Sequence, residues 1–120
     1  MKIFNGTPHD IKIIVGSTFQ SAIRKYTGGE VTKVFPSNGA LNAKIDTVEL
    51  DPIYGIPTFG KTITGCDTLP EGYDVYIVSV FYATALRTSG ANMDKIFIVA
   101  DPVMSDDGAT FIGCRGITQA

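Results

Sequence analysis

Apolar and polar positions alternate along much of this chain, at the two-residue period of half-buried strands. Lys2 to Asn5 forms a short apolar stub, and Gly6 to Asp10 reads as a turn. Ile11, Ile13 and Val15 then alternate with Lys12, Ile14 and Gly16, predicting a strand with one well-buried face. Glu30 to Phe35 repeats the pattern, with Val31, Lys33 and Phe35 set against Thr32 and Val34, and stops at Pro36-Ser37-Asn38-Gly39. Ala40 to Leu50 resumes it through Leu41, Ala43, Ile45, Thr47 and Glu49. Asp51-Pro52 and Gly55-Ile56-Pro57 mark turns, and Thr58 to Thr64 reads as a further strand.

From Tyr73 to Val80 the period disappears. Val75, Tyr76, Ile77, Val78 and Val80 make a near-continuous β-branched and aromatic run, the mark of a strand buried on both faces. Phe81 to Arg87 changes to a short helix that ends at Ser89-Gly90, with Arg87 at its negative end. Lys95 to Ala100 predicts a strand, Asp106-Asp107-Gly108 a hairpin turn, and Thr110 to Ile117 its return. Ser17 to Tyr26 reads two ways. Phe19, Ala22, Ile23 and Tyr26 have helical spacing with Ser17 or Thr18 as cap, while Thr27-Gly28-Gly29-Glu30 closes a hairpin, and strand is the preferred reading. The expected fold is α+β: a single domain over residues 1–120, dominated by antiparallel strands, with one short helix near 81–88.

Composition narrows the classes. With 120 residues, 44% hydrophobic and 18% charged, the chain has enough apolar surface for one core and is too apolar for a disordered segment. Its formal charge of −2, with ten scattered Lys and Arg, argues against long nucleic acid or an anionic membrane as partner and leaves room for a small anionic ligand. The longest apolar stretch, Val75 to Leu86, is broken by Ser79 and Thr84 and is too short to span a bilayer. No basic stretch followed by an apolar run and small-residue cleavage site opens the chain, so a cytoplasmic protein is expected. Cys66 and Cys114 are then expected as reduced thiols, although a single disulfide between them is the alternative.

Three segments resemble a known group when taken together: Asn5-Gly6-Thr7-Pro8-His9-Asp10-Ile11, Tyr76-Ile77-Val78-Ser79, and Asp106-Asp107-Gly108 followed by Ile112-Gly113-Cys114-Arg115-Gly116. They are similar to a family of small uncharacterised proteins encoded by tailed phages, prophages and some bacteria. Between Ser17 and Lys61 only the pattern agrees. The resemblance implies a phage setting. By analogy with small phage proteins that lack enzymatic motifs, it implies a sponge that sequesters nucleotide immune signals such as cyclic oligonucleotides or cyclic ADP-ribose isomers.

The candidate chemistry is sparse. His9, the only histidine, has a charge that switches near neutral pH and fits a general base or a phosphate donor, but it also fits a structural turn with Thr7 and Asp10. One histidine without a Cys/His partner is too little for a structural zinc site. Ser79 lies in no Gly-x-Ser-x-Gly elbow, and neither cysteine has a base beside it in the sequence. The acidic stretch Asp101 to Gly108 lacks the alternating oxygen ligands and terminal glutamate of a calcium loop. Arg115, boxed by Gly113 and Gly116, is the sharper candidate, because a guanidinium clamps phosphate with parallel hydrogen bonds. An ion pair with Asp101 or Asp106 is its alternative. Phe81 and Tyr82 offer rings for stacking on a base, with Arg87 and Asn92 as polar readers, yet aromatics at helical spacing also build cores.

These readings predict non-catalytic binding of a small anionic, nucleotide-like ligand by a cytoplasmic homo-oligomer, with no cofactor and no metal. Arg115 and Arg87 are expected to hold phosphates and Phe81 or Tyr82 to stack. Asn5, Thr7, His9 and Asn92 are expected to complete the site. A small nucleotide hydrolase using His9 with Asp10 or Asp101, and a protein-interaction or virion-associated module, are the competing readings.

Overall fold

The computed structural model describes residues 1–120 as ten strands and one helix. The strands are β1 (Ile3–Asn5), β2 (Ile11–Val15), β3 (Thr18–Gln20), β4 (Lys25–Thr27), β5 (Glu30–Phe35), β6 (Ala43–Ile53), β7 (Ile56–Cys66), β8 (Val75–Ile77), β9 (Ile96–Met104) and β10 (Phe111–Gln119). The helix, α1, spans Val80–Thr88. The chain is therefore mainly β, and the helix sits where the sequence places it.

Eight strands form one mixed sheet whose main path runs β1-β8-β9-β10-β2-β5. The long pairings, β9 with β10 and β2 with β5, are antiparallel, as expected from their alternation. Four shorter pairings, β1 with β8, β8 with β9, β2 with β10 and β4 with β9, are parallel, so the sheet is more mixed than the sequence predicts. Ser17 to Tyr26 resolves as the hairpin, β3 and β4, with Arg24 in a left-handed conformation (φ 53°) at its turn.

Two apolar clusters fill the two faces. Phe4, Tyr76, Val78, Tyr82, Ala83, Leu86 and Ile96 form the core under α1. Phe4, Tyr73 and Tyr76 meet there with centroids 5.0–6.2 Å apart, in edge or tilted contacts suited to ring quadrupoles. On the other face Ile11, Ile77 and Cys114 are buried against Ile3, Ile13, Phe35, Val75 and Val99. This second cluster is enclosed because the sheet curls. β1 and β5, the two ends of the path, meet where Asn5 Nδ2 donates to the Phe35 carbonyl at 2.8 Å. Just beyond β5 the Asn5 N–H donates to Asn38 Oδ1 and the Asn38 N–H to the Asn5 carbonyl, both at 2.9 Å.

The Gly-Cys-Arg-Gly run acquires a physical reason here. Gly113 lies so close to β2 that a Cβ would fall 2.6 Å from both Ile14 Cδ1 and the Lys12 carbonyl oxygen. Cys114 then points inward and Arg115 outward by ordinary strand alternation. Cys114 and Cys66 are both free thiols, in different apolar clusters. Burial pushes the Cys114 thiol pKa up, and a backbone hydrogen bond at Gly116 offsets it in part.

Strands β6 and β7 stand apart as a two-stranded arm, paired only with each other. They continue closer to the turn than the sequence suggests. Asp51-Pro52 is inside β6 at a register irregularity, and the turn itself is Tyr54-Gly55. Both turn residues have positive φ (50° and 75°), the requirement of a tight two-residue hairpin. The base of the arm is held by reciprocal bonds between Asn42 and Asp67 and by contact with α1. The molecule measures 49 × 42 × 20 Å.

Candidate functional site

The N-terminal polar cluster is a latch in the fold. Asn5 is 1% exposed, and its Nδ2 donates to the carbonyls of Phe35 (2.8 Å) and His9 (2.9 Å). Its Oδ1 accepts from the Thr7 N–H at 3.0 Å and from the Thr7 hydroxyl at 2.7 Å. Ser37 closes the other side, its hydroxyl donating to the Thr7 carbonyl and its N–H to Asp10 Oδ1. Every polar atom of the Asn5 side chain is thus used internally, and Thr7 is held by the same network. The polar residue types named by the sequence are placed together, yet Asn5 and Thr7 serve the turn.

His9 is exposed, and its ring makes no hydrogen bond. It lies over an open depression of about 420 Å³ lined by His9, Asp10, Lys12, Phe111 and Ile112. An adjoining apolar recess reaches Ile11, Val99 and Cys114. Of the two carboxylates considered as partners for His9, Asp101 pairs with Arg115, and Asp10 lines the same depression as His9 while accepting the Ser37 N–H at Oδ1.

The parallel register of β1 and β8 brings the start of α1 to the same end of the sheet. The Gly6 N–H donates to the Ile77 carbonyl at 2.8 Å, two residues before the N-cap Ser79, whose Oγ accepts from the Tyr82 N–H. Tyr82 is fully buried and donates its hydroxyl to the Asp67 carbonyl at 2.7 Å. Burial, with the nearby Cys66 and Asp67 charges adding to it, pushes its pKa up to about 12. Of the two stacking candidates Tyr82 is therefore a core residue, because its ring has no open face. Phe81 is 62% exposed and shares the outer face of α1 with Thr84 and Arg87. Arg87 sits in the last helical turn, about 9 Å along the axis from Phe81. Asn92 lies beyond the helix and accepts the Asp94 N–H with its side chain, the local bond of an Asx turn.

Arg115 combines its two alternatives. It pairs with Asp101 at 3.3 Å, and its guanidinium carbon lies 4.4 Å from the centre of the Tyr26 ring. Both partners line a cleft of about 270 Å³ together with Phe19, Arg24, Lys25, Pro102 and Met104. The cleft wall therefore carries two cations, Arg24 and Lys25, and two aromatic rings, Phe19 and Tyr26, whose centroids are 5.1 Å apart, while Lys25 Nζ donates to the Gly108 carbonyl at 3.5 Å. Arg24, Lys25 and Tyr26 were not among the candidates from sequence. Their adjacency was the available signal, but nothing local indicates that the β3–β4 hairpin docks beside β9.

The acidic turn is structural. Asp107 accepts from the Ser105 hydroxyl and, at 2.9 Å, from the Ala109 N–H. These bonds hold its carboxyl below the usual aspartate range, the Ser105 bond contributing most. No three His, Cys, Asp or Glu side chains converge as a metal site, and no helix is long and apolar enough to cross a membrane. Compared with protein-family models, curated proteins and solved structures, the chain matches none.

Proposed function

We propose that the protein binds a small nucleotide-derived anion without transforming it, with the cleft around Arg115 as the principal site. The observation that carries this reading is the Arg115 guanidinium held over Tyr26, whose ring lines a cleft with Asp101, Arg24 and Lys25. A nucleotide needs its phosphate charge met and its base stacked, and this cleft offers cations beside exposed ring surface. Asp101 acts as an internal placeholder: it keeps Arg115 extended across the strand, and a phosphate arriving at the cleft competes for the same guanidinium.

Sequestration, not turnover, is favoured because neither Asp10 nor Asp101 is bonded to the His9 ring. From the sequence resemblance to small phage proteins we infer a setting in which a stoichiometric sponge for cyclic nucleotides or cyclic ADP-ribose isomers counters host immunity. The test is calorimetric titration of the full chain and of Arg115→Ala and Arg24→Ala with those ligands. The expected result is tight one-step binding that weakens about 10- to 100-fold in either variant, the loss of roughly 1.4 to 2.8 kcal/mol of charge-assisted contact. Equal affinity in folded variants would remove the cleft as the phosphate site.

A further inference from the structure

The chain exposes more surface than its size accounts for. Its accessible area is 7912 Å², whereas a compact chain of 12.8 kDa exposes about 6,300 Å². The Cα radius of gyration is 17.3 Å, against about 14 Å for a compact domain of this length. The β6–β7 arm holds many of the exposed large apolar side chains. Val48, Leu50, Ile53, Ile56 and Phe59 are between 44% and 63% exposed there, and Tyr54 at the tip is fully exposed.

The register puts apolar side chains on both faces of this arm. Ile45 opposite Ile63 and Glu49 opposite Phe59 lie on one face, and Val48 opposite Gly60 and Leu50 opposite Thr58 lie on the other. A two-stranded ribbon with both faces in water is marginally stable at best, and this one is anchored only at its base. An arm built from these residues needs a surface to lie on.

We propose that the arm is the clasp of a homodimer, each copy's β6–β7 arm lying against the body of the other. The proposal is independent of the ligand reading. Charge favours a second copy as the occupant. Beyond its base the arm carries Asp46, Glu49 and Asp51 against Lys61 alone, whereas β2 and β5 carry Lys12 and Lys33 against Glu30 alone, with Lys12 opposite exposed Val34 on one face of the pair. The chain thus holds both halves of a complementary contact, and a twofold axis satisfies both at once. The outer edge of β5, the last strand of the path, also offers unpaired backbone groups to an incoming strand.

The area agrees. Eleven-residue strands reach about 37 Å, and two abreast are roughly 10 Å wide. Two such arms, each covering one face against the partner, remove roughly 1,500 Å² from water, which is the size of a standard specific interface.

The test is size-exclusion chromatography with light scattering on the full chain and on the Ile53→Glu/Phe59→Glu double variant, across roughly 1 to 100 μM. The expected wild-type mass is twice the 12.8 kDa of one chain, and the variant is expected at one chain with an unchanged far-ultraviolet circular dichroism spectrum. A wild type that runs as a single chain throughout would overturn the proposal and leave the arm to a different partner. A dimer that survives the arm substitutions would overturn it too, by placing the interface elsewhere. Should the double variant misfold, hydrogen exchange of the wild type decides. Amides of residues 43–66 that are protected at high concentration and released on dilution support the clasp, and rates independent of concentration overturn it.

Discussion

The side-chain amide of Asn5 donates to the backbone carbonyl of Phe35 at 2.8 Å, joining strands at opposite ends of the sheet path across 30 residues of sequence. The same amide holds the His9 carbonyl, and its oxygen holds Thr7, so one buried residue closes the curl and shapes the N-terminal turn.

Removing that amide leaves several buried groups without partners. Asn5→Leu is expected to destabilise the fold by about 3 kcal/mol, and Thr7→Val by about 1 kcal/mol, since it loses one hydroxyl and keeps the backbone bond. Urea denaturation at fixed protein concentration reads both as shifts of midpoint. Equal, small effects would mean that the latch is not what holds β1 to β5.

The two glycines around Arg115 are expected to behave differently. An alanine at 113 collides with a backbone oxygen and with Ile14, so Gly113→Ala should cost about 1 to 3 kcal/mol. Gly116 has nothing within 4 Å of an added Cβ and no positive φ, so Gly116→Ala should stay within about 0.5 kcal/mol. Thermal melts of the pair check the close β2–β10 packing.

Legibility in the sequence follows the range of the interactions. The alternation of Ile11 and Ile13, the buried run around Tyr76 and the helix at Phe81 to Arg87 are local signals, and each element is present. The sequence predicts a strand from Tyr73 to Val80, but only Val75–Ile77 pairs, because Ser79 already caps α1. Pro52 marks a turn in the sequence and lies within β6, tolerated because the arm's ladder is irregular there. The parallel pairings and the Asn5–Phe35 bond join distant segments, and no local pattern states them. The site divides likewise: the Arg115–Asp101 pair was legible from hairpin register, whereas Tyr26, Arg24 and Lys25 reach it only through the docking of β4 on β9.

Tyr82 makes the fold sensitive to alkali. Its folded pKa lies near 12, above the ordinary tyrosine value of about 10, so the folded state holds the proton more tightly. Stability is then complete below pH 10 and falls as pH rises from about 10 to 12, with a slope approaching 1.4 kcal/mol per pH unit. Tyr82→Phe should remove this step and lose about 1 kcal/mol at neutral pH with the Asp67 bond. Denaturation midpoints between pH 8 and 11 in both proteins measure it.

Arg115 contributes little to the fold. Its pair with Asp101 is about half exposed on both sides, so Arg115→Ala should cost less than about 1 kcal/mol, less still in high salt. Its contact with Tyr26 adds a similar small amount. A melting temperature within a few degrees of wild type, in low and high salt, would separate a binding defect from a folding defect.

The most direct measurement is native mass spectrometry of the full chain after incubation with cyclic nucleotides and cyclic ADP-ribose isomers, followed by heat release and weighing of whatever was bound. The account predicts a complex carrying a stoichiometric ligand that is released with its mass unchanged. A released product of altered mass would contradict it in favour of catalysis, and a chain that retains none of these ligands would contradict the proposed binding function.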